Sequence, residues 1–179
     1  MMMYDLTAIF LSLPMFFSIV SYIWSRIFRD PHHFPGNSHM HLLLIVMQFI
    51  SVTILLAISS VVGFLSLFVI YLVQGIGVIY FLLRNGRVDC GCFGSQIASK
   101  LSYRLAASNG VLAAISLFMF MLQWLQFRGF SLSLSLEGLL IEFLFMMFAL
   151  VCVVGVPDAL YAIRAYRAIA ATYYEKITK

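Results

Sequence analysis

Charge is what this sequence has least of. Among 179 residues only 11 are Lys or Arg and 7 are Asp or Glu, 10% in all, where soluble chains carry about 25%. No stretch is long and polar enough to form a separate soluble domain, which excludes most soluble catalytic folds. The chain also lacks a phosphate-binding P-loop, a Gly-x-Gly-x-x-Gly dinucleotide fingerprint, a Ser–His–Asp arrangement and a haem Cys-x-x-Cys-His motif. There is no internal repeat and no low-complexity segment. What fills the space is apolar: 63% of the residues are hydrophobic and the mean hydropathy is +1.03. Only lipid accommodates that much apolar surface on so short a chain. The net charge of +4 then reads as topology information and not as a nucleic-acid footprint; no nucleic-acid partner is expected.

A helix rises ~1.5 Å per residue, so about 20 apolar residues cross a hydrocarbon core of ~30 Å. Five segments are long enough: residues 6–28, 42–62, 64–83, 105–127 and 139–162. Backbone groups in lipid must pair within their own segment, so each is expected to be helical. The expected fold is an all-α, polytopic transmembrane bundle in one membrane domain, a four-helix core plus one. Gly63 marks the expected turn between the second and third spans. The first segment reads as a span and not a cleaved leader, because no basic residue precedes it and no small-x-small site follows.

The connections are short. Arg29 to His41 joins the first two spans, and its prolines, glycine and asparagine break any helix. Arg84 to Arg104 joins the third and fourth. Arg128 to Gly138, with its alternating Phe-Ser-Leu-Ser pattern, reads as an interfacial turn. Five spans put the termini on opposite sides. The first loop, the third loop and the tail then carry Arg26, Arg29, Arg84, Arg87, Lys100, Arg104, Arg164, Arg167, Lys176 and Lys179, against Arg128 alone on the other side. The positive-inside rule assigns the ten-residue side to the cytoplasm.

The third loop holds the unusual chemistry: Asp89-Cys90-Gly91-Cys92-Phe93-Gly94. Two extended residues span at most ~7 Å, and a disulfide needs Cα atoms about 4.4–6.8 Å apart. Cys90 and Cys92 can therefore bond only across a bend, which Gly91 permits because it has no Cβ. A bond made that way is strained, and strained or exposed disulfides are the exchangeable ones. Phe93 would anchor the loop in the interface and Gly94 would let the chain turn out of it. Arg84, Arg87, Lys100 and Arg104 favour thiolate and Asp89 opposes it. Two other readings stand beside thiol–disulfide exchange: a tight turn with inert thiols, and a metal site. The second is short of ligands, since about four are needed. No metal and no cofactor are expected.

These residues resemble the MauE family within the MauE/DoxX group of redox-associated membrane proteins. Arg29-Asp-Pro-His-His-Phe34 is similar to the family's basic–Asp-Pro–x–x–Phe loop, and five hydrophobic segments in this order match its layout. The resemblance implies an accessory role in methylamine utilisation, in a bacterial inner membrane. There the protein would support processing, transport or maturation of the disulfide-rich small subunit of methylamine dehydrogenase, with a thioredoxin-like partner of the MauD type. It makes Cys90 and Cys92 the redox pair, shaped by Gly91, Phe93 and Gly94. It also favours the outer membrane face for the loop, opposite to the charge bias. A non-catalytic membrane scaffold or export component, with structural cysteines, is the alternative.

Cys152, in the fifth span, reads as a buried small apolar residue, or as a resolving thiol if its helix carries it to the loop's face. His32, His33, His39 and His41 crowd the first loop and read as a solvated polar segment, with a metal or quinone-headgroup site as the sharper alternative. Glu142 and Asp158 are expected to snorkel or cap near the interfaces. Gln48 and Gln74 are expected to hydrogen-bond between helices, and Gly75, Gly77 and Gly86 to allow close helix approach.

Overall fold

The structure is a computed structural model that describes residues 2–27, 37–88, 100–126 and 135–156, with 159, 162, 163 and 166. Its elements are α1 (Met2–Ile27), α2 (Ser38–Thr53) continued by a π-helical turn (Ile54–Ile58), α3 (Ser60–Asn85), α4 (Tyr103–Gln126) and α5 (Leu136–Leu150) continued by a second π-helical turn (Val151–Gly155). Each of the five helices is long and apolar enough to cross a membrane, and the described residues hold no strand.

Short polar side chains set where three of these helices begin. Asn37 Oδ1 accepts the His39 N–H at 3.2 Å, Ser102 Oγ accepts the Leu105 N–H at 3.3 Å, and Ser135 Oγ accepts the Gly138 N–H at 3.2 Å. In a bilayer these amides have no water to turn to, so the caps decide the start points. α1 stays helical through Pro14, whose lost hydrogen bond membrane helices tolerate when neighbours enclose them.

The turn between α2 and α3 falls at Ser59, not at the expected Gly63. The π-turn closes with the Ser59 N–H donating to the Ile54 carbonyl at 2.8 Å, and Ser59 is extended (φ −156°, ψ 117°). Gly63 instead lies inside α3, pressed on the backbone of Leu55, where any Cβ would collide. α5 docks on the same turn. The Ser135 N–H donates to the Ala57 carbonyl at 2.6 Å, and a Cβ on Gly138 would strike the Leu56 carbonyl.

α1 is the central helix, with Leu11, Met15 and Phe16 at 0–1% exposure. It meets α2 through Ile19, Tyr22 and Ile45, and α5 through the stacked rings of Phe16 and Phe145, 6.0 Å apart. The Tyr71 hydroxyl of α3 donates to the Leu11 carbonyl. α3 and α4 form a hairpin in which Val78, Leu82, Leu101 and Ala106 cluster. Successive helices alternate in direction, so the molecule has two ends. One carries the α1–α2 and α3–α4 connections and the far end of α5. The other carries Ser59 and the start of α5.

Candidate functional site

The basic side chains Arg26, Arg84, Arg87, Lys100 and Arg104 all belong to the first of these ends, the one from which the cysteine loop departs. α3 stops there at Gly86, which takes φ +73°, a conformation glycine reaches without a Cβ clash. Its N–H donates to the Leu82 carbonyl at 3.0 Å, and the Val88 N–H donates to the Gly86 carbonyl at 3.0 Å. The Leu101 N–H then donates to the Val88 carbonyl at 2.9 Å. This bond forms a neck that joins Val88, after α3, to Leu101, before α4, and Leu101 is 1% exposed against the two helices.

Asp89, Cys90, Gly91, Cys92, Phe93 and Gly94 lie outside the described residues, as do His32, His33 and Asp158. In the sequence Cys90 follows Val88 by two residues and Cys92 by four. Around the neck, Arg84 Nη1 donates to the Tyr80 hydroxyl at 2.9 Å, back along α3. Arg87, Lys100, Tyr103 and Arg104 are exposed.

The same end holds a clamp across the first loop that the sequence did not announce. The His41 ring, 3% exposed, meets the Tyr22 ring edge-on at 4.9 Å. Arg26 Nε donates to the Tyr22 hydroxyl at 3.3 Å, its guanidinium lies 5.8 Å over that ring, and Nη2 reaches Ser38 Oγ at 3.5 Å. His41 thus departs from the expected solvated loop: it is the inward residue of α2's first turn, whereas His39 beside it is exposed. The 41, 45, 48, 52 spacing was the available signal, since those positions share one helical face. Among the described residues no three His, Cys, Asp or Glu side chains are placed to hold a metal ion.

Cys152 sits half-buried in the π-turn that ends α5. α5 runs from the Ser59 end toward the basic end, and Cys152 lies in its last described turns. Glu142 departs from the expected snorkelling. It is 5% exposed, turned into the bundle, with Oε1 2.8 Å from the Thr53 hydroxyl oxygen. Gln48 departs as well: its Oε1 is buried, with no hydrogen-bond partner among the described residues. Gly75 approaches Ala106 and Asn109 of α4 at ordinary contact distance, and Gly77 approaches nothing.

Comparison with known families places this architecture. The family described as "Methylamine utilisation protein MauE" matches residues 2–122, from α1 through the cysteine loop into α4. No curated protein and no solved structure matches the chain. The match covers most of the sequence and includes the neck and the loop it closes, so this multi-pass membrane protein belongs to the MauE family and is an accessory protein of methylamine utilisation.

Proposed function

We propose that the protein carries out thiol–disulfide exchange through Cys90 and Cys92, and that this supports maturation of the disulfide-rich small subunit of methylamine dehydrogenase in a bacterial inner membrane. A thioredoxin-like partner of the MauD type is its exchange partner. A partner thiolate attacks one sulfur of the Cys90–Cys92 disulfide. The bond between the loop sulfurs breaks, a mixed disulfide forms, and the other loop cysteine leaves as thiolate. A second partner thiolate then displaces the loop, leaving the partner oxidised and the loop as a dithiol. Run backwards, the same steps oxidise the loop and reduce the partner. Gly91 allows the bend that the pair needs, and Phe93 and Gly94 shape the chain around it.

The observation that carries this reading is the Val88–Leu101 neck. It joins the two ends of the segment that carries Cys90 and Cys92 at the basic end of the bundle, which supports a closed loop there. The nearby cations favour thiolate.

The test is substitution. With Cys90→Ser, Cys92→Ser or both, the protein should remain in the membrane and maturation of the dehydrogenase small subunit should be lost. Full maturation with both serines in place would overturn the exchange mechanism and leave a scaffold or export role. Labelling with a membrane-impermeant maleimide in intact cells reads the side. Reaction puts the loop with a periplasmic partner, and protection puts exchange on the cytoplasmic face that the basic residues indicate.

A further inference from the structure

The α3–α4 hairpin gathers four cations at one end. Arg84 and Arg87 precede Val88, Lys100 and Arg104 flank Leu101, and the 2.9 Å backbone bond between Val88 and Leu101 ties the two pairs together. All four side chains are exposed. From residue 84 to residue 104 the sequence holds one acid, Asp89, and neither α3 nor α4 holds any. Whatever Asp89 pairs with, a surplus of three positive charges remains on the hairpin. The first loop and the tail bring six bases (Arg26, Arg29, Arg164, Arg167, Lys176 and Lys179) and three acids (Asp30, Asp158 and Glu175). They add to the surplus and do not cancel it.

Charge alone calls for an anion, and the geometry says which kind. Arg84 Nη1 donates to the Tyr80 hydroxyl at 2.9 Å, and the Tyr80 ring meets Phe81 edge-on at 5.4 Å. Tyr80 lies four residues back, ~6 Å along the axis toward the middle of the span. A cation in the last turn of a membrane helix ordinarily reaches outward to water. Arg84 is instead drawn back along α3, while the guanidinium keeps further N–H donors that suit the paired oxygens of a phosphodiester. Around and beneath it α3 exposes Leu83, Ile79, Ile76 and Val73. A charged fork at the head of an apolar helix face has the outline of a phospholipid, phosphate above and acyl chains below. Inorganic phosphate or an acidic peptide would meet the charges and leave the apolar face unused.

We propose that Arg84, held on Tyr80, seats the headgroup of an anionic phospholipid whose acyl chains lie along the exposed face of α3. Arg87, Lys100 and Arg104 supply the field that selects an anionic headgroup over a zwitterionic one, since each cation near a membrane surface strengthens that attraction. The site does not depend on the cysteine chemistry and stands whether or not Cys90 and Cys92 exchange.

The full-length protein, delipidated in neutral detergent and offered equimolar phosphatidylglycerol and phosphatidylcholine with identical acyl chains, tests this by native mass spectrometry. The wild type should retain phosphatidylglycerol over phosphatidylcholine by about tenfold, and Arg84→Gln should lower that ratio by about fivefold, the worth of one cation at a lipid surface. Arg87→Gln removes the same charge away from Tyr80 and should lower it less. Equimolar inorganic phosphate should leave the bound phosphatidylglycerol in place. Both arginines are exposed, so the variants should fold, and the wild-type ratio decides alone if either does not. Equal retention of the two lipids by the wild type would overturn the proposal, and capture of soluble polyglutamate in that case would assign the patch to an acidic protein. Displacement of the lipid by inorganic phosphate, or equal losses in the two variants, would also overturn it.

Discussion

α3 turns Phe64, Leu67, Ile70 and Tyr71 toward the core, whereas α2 turns His41, Gln48 and Ser51 inward beside Ile45 and Val52. Both are apolar membrane helices by hydropathy, and both face α1. Lipid tails are as apolar as leucine, so burying another leucine between helices gains little over leaving it in the bilayer. α3 therefore associates largely by fit. Its aromatic and branched side chains interlock with α1 and α4, and the Tyr71 hydroxyl on the Leu11 carbonyl adds a polar tie. The α1–α2–α5 seam is held by close backbone approach at one end, a hydrogen-bonded clamp at the other, and between them polar side chains that lipid would penalise. The fitted half carries the cysteine loop on a firm base, and the polar half carries Glu142.

Three substitutions probe the contrast, each read as unfolding free energy in detergent. Gly138→Ala forces a Cβ into the Leu56 carbonyl and pushes α5 off the π-turn. Overpacking of this kind costs about 1–3 kcal/mol, and the upper end is expected because the obstacle is backbone. A change below about 0.5 kcal/mol would mean that α5 does not dock there. Tyr71→Phe removes one buried hydrogen bond and keeps the ring, so about 1 kcal/mol should be lost. No loss would make the contact incidental and the α1–α3 interface purely one of shape. Gly77→Ala meets nothing within 4 Å and should change stability by less than about 0.5 kcal/mol, which separates a glycine used for approach from one that is not.

Hydropathy alone made the five spans legible, because helix is the one structure a lone apolar segment can adopt in lipid. The cysteine loop was legible too, since its cysteines and cations stand out against so apolar a chain. The Ser59 turn was not. Gly63 is the residue that usually breaks a helix, yet here the break comes from a π-turn, which needs no special residue and leaves no mark in composition. Gly63 and Gly138 serve instead as contact points, and only three-dimensional structure shows what a Cβ would hit. Glu142 was misplaced for a related reason: counting residues from a helix end suggests an interface, but which face it occupies depends on where α5 meets α2. The helical spacing of His41, Ile45, Gln48 and Val52 did contain the seam, read as a pattern and not as a loop of histidines.

Trapping reads out whether Cys90 and Cys92 join and part. Membranes treated with reductant or oxidant, quenched in acid and alkylated with a mass-tagged maleimide, should show two tags on the reduced Cys90–Gly91–Cys92 peptide and none on the oxidised one. Two tags under every oxidant, or none under any reductant, would contradict thiol–disulfide exchange.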